Sequence, residues 1–280
     1  MSNLTLTDQC FWVRHLRNAA ALARLHVLTC LKSSSCKDTV GTGAGGDVTK
    51  QFDLIAEQSM VEYLKRFSAF TLVSEEAGLK RIGSKPEGFV IMDPIDGSTN
   101  VSHGISFACI AIAFASELLF SSIEAAVVLD LFSGTCYHAT NGKGAFKDRQ
   151  QIQPAYSTSD KPSLVGVDDK FPQTHVDDNQ LKSNTSCIRY TRHFGANALE
   201  LCYVADGSLD GFVDLRGVFR GTDLAAPALI LKEAGATLVN PEGSAITGPC
   251  TNDARYAYIA ARDTEFSTHL LMLIGKTKIS

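Results

Sequence analysis

Apolar residues recur with two different periods along the 280-residue chain, and these periods assign its elements. In residues 8–31, Phe11, Val13, Leu16, Ala20, Leu22, Leu25 and Leu28 return at helical spacing behind Asp8, a natural N-cap, so the chain is expected to open with a helix. A second amphipathic helix is expected over residues 50–66, where Phe52, Ile55, Met60, Tyr63 and Leu64 share one broad face. Short β-branched and apolar runs predict strands at 70–74, 89–92, 105–114, 125–131, 164–167 and 211–215. Two later helices are expected at 196–205 and 223–234, the second stopped by Gly235. Between the first two helices, Gly41, Gly43, Gly45 and Gly46 make residues 33–47 read as a flexible flap, and the absence of a following GK[ST] separates it from a nucleotide P-loop. The mixture predicts an α/β (α+β) protein, with a boundary over residues 150–163 between an N-terminal half, 1–150, and a C-terminal half, 151–280.

Candidate chemistry gathers where these elements end. The apolar run 89–92 halts at Asp93, and Pro94 lacks the N–H needed to continue a ladder, so Asp93 is expected where strand order stops. Asp96 follows closely. Two carboxylates this near repel and raise one another's pKa unless a cation holds both ionised, and hard oxygen ligands suit Mg²⁺. Gly97 permits close backbone approach, and the N–H groups of Ser98 and Thr99 can face a phosphate. The strand at 70–74 delivers Glu75 and Glu76 at its end, while Asp47, Asp53 and Asp223 stand at the entries to helices. Each acid alone also fits an ordinary turn or a favourable partner for a helix dipole. Their shared position at element ends, where open α/β architectures gather their chemistry, points to bound cations and to phosphate-monoester hydrolysis. The chain has no G-x-S-x-G elbow that would offer a covalent route.

Composition narrows the partners. A formal net charge of −4 supplies no basic face for nucleic acid and no polybasic membrane tether. The longest apolar stretch, 107–120, is too short to span a bilayer, and the N-terminus interrupts its apolar residues with Asp8, Arg14 and Arg17, unlike a signal peptide. Eight cysteines stand at 10, 30, 36, 109, 136, 187, 202 and 250 without a C-x-x-C pair. Most are expected to be small core residues in a reducing, cytoplasmic setting.

The segments GDVTKQFD, LVSEE, DPIDGSTN and GTDLAAPALILKEAGA, in this order across residues 46–236, resemble the lithium-sensitive magnesium phosphatase superfamily that contains inositol monophosphatase and fructose-1,6-bisphosphatase. The resemblance implies a layered αβαβα sandwich with two mixed sheets and two or three Mg²⁺ ions, with Mn²⁺ a substitute. It implies Glu75, Asp93 and the Ile95 carbonyl as ligands of one ion, and Asp93, Asp96 and Asp223 as ligands of another. Asp47 and Ser98 would position the attacking water, Gly97, Ser98 and Thr99 would hold phosphate oxygens, and Glu76 and Asp53 would stand just outside the ligands, Asp53 orienting Asp47 or Lys50. Gly195, Ala196, Asn197 and Asp214 resemble the residues around the substrate ring, while Arg192, Arg216 and Arg220 are candidates for a second phosphate. The stretch VDLRGVFRGTD, with Thr222 where a tryptophan usually precedes the last acid, is closer to archaeal and bacterial enzymes that accept both inositol-1-phosphate and fructose-1,6-bisphosphate. Two alternatives stay open: a 3′-phosphoadenosine 5′-phosphate phosphatase, or an inactive homologue that only binds. The implied partner is a small phosphate ester, and the implied assembly a homodimer.

Overall fold

The computed structural model describes residues 6–155, 163–168 and 188–277. Its elements stack in five layers, and the period-two alternation of the central strands explains why. Helices α1 (Leu6–Cys30) and α2 (Gln51–Leu64) cover one face of an eight-stranded mixed sheet. That sheet is built from β3 (Phe70–Ser74), β4 (Gly78–Ile82), β5 (Phe89–Asp96), β6 (Cys109–Ala115), β7 (Ile123–Asp130), β8 (Cys136–Thr140), β9 (Ala145–Lys147) and β10 (Gln150–Gln151). Its strand order is β10-β9-β8-β7-β6-β5-β3-β4, with β3 and β5 parallel and the other neighbours antiparallel. Along β5, Val90 and Met92 join the cluster of Trp12, Leu16, Phe52 and Met60 under α1 and α2, whereas Ile91 faces the opposite side. There it meets α4 (Asn197–Ala205) and α5 (Gly221–Ala234), which form the middle layer.

A second sheet follows, ordered β12-β11-β13-β15-β14, from β11 (Ser163–Val167), β12 (Ile188–Arg192), β13 (Gly211–Arg220), β14 (Thr237–Val239) and β15 (Arg255–Ala261). Phe212, Tyr258 and Ala260 face the middle helices, while Val213, Ile259 and Ala261 face α6 (Thr264–Thr277). The expected αβαβα sandwich is therefore the observed one. No helix among the described residues is long and apolar enough to cross a membrane.

Several local expectations change. Residues 33–47 hold a short 3-10 turn, Ser34–Lys37, and the first strand of a hairpin, β1 (Thr39–Thr42) paired antiparallel with β2 (Val48–Lys50). The β-branched Thr39, Val40, Thr42, Val48 and Thr49 favour this pairing, and the glycines between them hid the pattern. The strand through Asp93 does not end there: its pairing with β6 skips Pro94 and Ile95 and resumes at Asp96 opposite Cys109. The run from 105 begins its strand only at Cys109, and β13 extends beyond 215 to Arg220 across an irregularity. Cys30 and Cys36 form a disulfide across the turn that follows α1, whereas Cys109, Cys136, Cys202 and Cys250 are free and buried as expected. The side chains of Cys10 and Cys187, and residues 156–162 of the expected boundary, lie outside the described residues.

The helix layer depends on Trp12, whose ring lies parallel to that of Phe114 with centroids 3.8 Å apart. Trp12→Ala should lower unfolding stability by about 3–5 kcal/mol. Urea unfolding followed by far-ultraviolet circular dichroism checks this, and an unchanged midpoint would show that α1 contributes little to the fold.

Candidate active site

Three elements from distant parts of the chain point carboxylates at one spot. Glu75 follows the end of β3, Asp93 sits on β5 directly beside it, and Asp223 lies in the first turn of α5. One carboxylate oxygen from each lies within 4.8 Å of the other two. Asp93 and Asp223 are buried and Glu75 is half-buried, so mutual repulsion is poorly screened. Burial, and then Asp223, push Glu75 up to about 8. Burial also drives Asp93 well above the usual carboxylate range, with Glu75 and Asp223 adding to the effect. For Asp223 burial again raises the value, against the opposing influence of Arg220. A buried all-oxygen set held this close matches the needs of a hard divalent cation.

Asp96 is brought to the same region by the irregularity after Asp93. Its Oδ2 accepts the Ala198 N–H at 2.7 Å and lies 3.8 Å from the Cys109 sulfur, and burial pushes its pKa up to about 7. Ile95 donates its N–H to Asp93 Oδ1 at 3.0 Å, which fixes the Asp93 carboxylate. Gly97 then takes φ +88°, and a Cβ there would lie 3.0 Å from Ala196 Cβ and 3.1 Å from the Phe107 carbonyl, so glycine is required. Ser98 opens the six-residue helix α3 (Ser98–His103), and the Asn100 amide donates to the carbonyls of Phe107 and Phe194, tying this turn to the loop before α4.

The remaining expected residues divide into those at the site and those away from it. Asp47, Asp96, Gly97, Ser98, Thr99, Gly195, Asn197 and Arg216 line a cleft of about 470 Å³, together with Asn100, Asp168, His193 and Phe219. Asp47 stands at the hairpin tip beside β2, and the tip docks on the acids: Gly45 N–H donates to the Glu75 carbonyl at 2.8 Å and Ala44 N–H to that of Glu76 at 3.0 Å. Glu76 accepts from the Thr49 hydroxyl, and its pKa is raised by burial against that bond. Asp53 accepts the Lys50 N–H at 2.8 Å, so it holds the Lys50 backbone at the start of α2, and burial pushes its pKa up to about 8. Ala196 is buried behind Gly97. Asp214 is fully buried beneath the cleft and bonded to Arg216 and to the Asn197 amide.

Neither Arg192 nor Arg220, both candidates for a second phosphate, is among the residues that line this cleft. Arg192 is exposed and donates to the Thr191 carbonyl at 2.7 Å, away from the cleft wall. Arg220, at the end of β13, points into the acids instead. It bonds Glu75 Oε1 at 2.9 Å, the Gly45 carbonyl at 3.1 Å and the Asp47 carboxylate, and stands 3.6 Å from Asp223. Its position three residues before Asp223 was the only sequence signal. Also unforeseen were Glu57, a buried acid on α2 that accepts from the Ser74 hydroxyl and the Ala77 N–H and so fixes the Glu75–Glu76 turn, and Glu200. Glu200 accepts the N–H groups of Phe194 and Gly195, both at 3.1 Å, and shapes the loop at the cleft.

The sequence profile of the inositol monophosphatase family matches residues 12–273. A Methanothermobacter thermautotrophicus protein named fructose-1,6-bisphosphatase/inositol-1-monophosphatase is 33% identical over 248 residues, covering 85% of this chain and 87% of that protein. A bifunctional NADP phosphatase/NAD kinase from Methanococcus maripaludis is 33% identical over 227 residues, 75% of this chain. This chain spans only 40% of that relative's length. A solved Pyrococcus horikoshii structure, described as a hypothetical protein with similarities to inositol-1 monophosphatase, superposes with a TM-score of 0.79 at 26% identity, over 94% of this chain and 97% of that one. Profile, relatives, layered fold and acid cluster agree: this chain belongs to the inositol monophosphatase family.

Proposed function

We propose that this chain hydrolyses small phosphate monoesters, inositol-1-phosphate and fructose-1,6-bisphosphate among them, with Mg²⁺ as the resident cation. The observation that carries the reading is the meeting of Glu75, Asp93 and Asp223 within 4.8 Å beside a cleft that the Gly97–Thr99 turn lines. Glu75, Asp93 and the Ile95 carbonyl would hold one ion, and Asp93, Asp96 and Asp223 another; a third ion is in keeping with Asp47 and Glu76 nearby. When bound, such ions make water a competent nucleophile and neutralise charge on the transferring phosphoryl group and the leaving oxygen.

The protein's own groups do the rest. The N–H groups of Gly97, Ser98 and Thr99 are preorganised donors for phosphate oxygens, so they stabilise charge without reorganising during reaction. Asp47 and the Ser98 hydroxyl orient the attacking water, and the Asp47 carboxylate receives its proton. Arg220 connects Asp47 to Glu75 and holds the hairpin tip against the site. By family resemblance we further propose a homodimer, a cytoplasmic location, and two halves divided near residue 150, which size-exclusion chromatography, cell fractionation and separate expression of the halves test.

Purified protein should release phosphate from esters with Mg²⁺ or Mn²⁺ and fall silent with a chelator. The panel should include NADP and 3′-phosphoadenosine 5′-phosphate, and silence on every ester would support a binding protein instead. Asp93→Asn should abolish turnover while circular dichroism stays unchanged; full activity in this variant would contradict its role as a shared ligand.

The raised acids also set a pH dependence. Glu75 and Asp53, near 8, and Asp96, near 7, bind protons more tightly folded than unfolded, where carboxylates titrate at about 4. The folded state therefore holds more protons across that window, and stability falls as pH rises through it. The metal-free melting temperature should fall between about pH 5 and pH 8.5, and Mg²⁺ should raise it more at the upper end. A metal-free melting temperature that rises with pH over this range would contradict the assignment.

A further inference from the structure

The turn from Phe194 to Asn197 meets the site at three places. Gly195 and Asn197 line the cleft, Ala196 lies against Gly97, and the Ala198 N–H just beyond holds Asp96. A Cβ on Gly97 would stand 3.0 Å from Ala196 Cβ and 3.2 Å from the Gly195 carbonyl, so this turn is the surface against which the Gly97–Thr99 donors rest. The peptide between Phe194 and Gly195 is gripped from two sides. Its carbonyl accepts from the Asn100 amide at 2.7 Å, and the same amide nitrogen donates to the Phe107 carbonyl at 2.8 Å. Its N–H donates to Glu200 Oε1 at 3.1 Å, where the Phe194 N–H arrives at the same distance.

Glu200 is an expensive residue to keep in that place. It is fully buried on α4, and its Oε2 meets no hydrogen-bond partner among the described residues. Its hydrogen bonding is spent on the turn, through Oε1 alone. Burial pushes its pKa up to about 8 against the pull of those two N–H groups, so at neutral pH it serves the turn as an acceptor more than as a charge.

We propose that Glu200 and Asn100 are positioning residues of the hydrolysis: gripping one peptide from opposite sides, they seat the 194–197 turn against Gly97 and so aim the N–H groups of Gly97, Ser98 and Thr99 at the phosphate. The inference rests on the phosphatase reading and deepens it. Without the Glu200 acceptor, two buried N–H groups are left unpaired and regain partners only by moving the turn. Donors that must reorganise lose their advantage, and a displacement of about 1 Å costs on the order of 100-fold in rate. Glu75, Asp93 and Asp223 stand at β3, β5 and α5, outside this grip, so binding of the first ion is independent of it.

The test measures kcat, KM and inhibition by inorganic phosphate for the Mg²⁺-loaded full chain on p-nitrophenyl phosphate, whose ring carries no hydroxyls for the cleft to hold. Glu200→Leu should lower kcat/KM about 10- to 100-fold and weaken phosphate inhibition about tenfold. Glu200→Gln, which keeps the acceptor oxygen, should stay within about threefold of the wild type. Binding of the first Mn²⁺, read by electron paramagnetic resonance, should be unchanged in both. Trp12→Ala, weakened in the helix layer and assayed where it is folded, should keep wild-type kcat/KM, which separates positioning from lost stability. If Glu200→Leu does not fold, Asn100→Ala frees the same peptide from the other side and should give the same pattern. Wild-type kcat/KM and phosphate inhibition in the folded variants would overturn the inference. So would a Glu200→Gln as impaired as Glu200→Leu, or losses that follow weakened binding of the first Mn²⁺. Hydrolysis by the wild type confines any such failure to this proposal, whereas no metal-dependent hydrolysis by the wild type removes the phosphatase reading along with it.

Discussion

Glu75, Asp93 and Asp223 bring three carboxylates within 4.8 Å of one another in a place largely closed to water, and like charges so placed persist together only when protons or cations offset them. Much of the local architecture follows from that constraint. Arg220 supplies one positive charge from within the chain, and its reach to Asp47 and the Gly45 carbonyl fastens the β1–β2 hairpin over the acids. Proton uptake supplies the rest in the absence of metal, as the upward shifts of Glu75 and Asp93 indicate. A divalent ion satisfies the same demand with the carboxylates ionised.

The fold makes this concentration of charge tolerable by surrounding it with apolar layers. β3 and β5 run parallel, so their ends deliver Glu75 and Asp93 side by side, while α5 packs on the same sheet and presents Asp223 in its first turn. The irregularity after Asp93 rotates Asp96 towards α4, where the Ala198 N–H receives it. Each device is local, yet the site exists only once all the layers have assembled. The same holds at the far end of the cleft, where Asp168 from the end of β11 meets Arg216 from β13.

Much of this was legible in the sequence, for identifiable reasons. The run 89–92 is apolar on both faces because its strand is covered on both, and Asp-Pro-Ile-Asp-Gly marks its interruption. The acids at the site were readable because carboxylates at element ends carry a strong chemical signal. The hairpin at 39–50 was hidden because glycine erases the alternation that marks a strand. The two-residue β10 and the three-residue β9 and β14 are too short to establish a period. Arginine roles were the least readable: a guanidinium that pairs with Glu75, 145 positions away in the chain, looks the same in sequence as one waiting for phosphate. Only the folded arrangement reveals that Arg216 and Arg220 are already engaged.

The central claim, that these acids form a shared cation site, is tested most directly by diffraction from crystals grown with Mn²⁺, using its anomalous scattering to locate the ion. The account predicts a peak among Glu75, Asp93 and Asp223, with their carboxylate oxygens in direct coordination and Arg220 drawn away from Glu75. Crystals saturated with Mn²⁺ that show no peak there, with Arg220 still paired to Glu75, would contradict it.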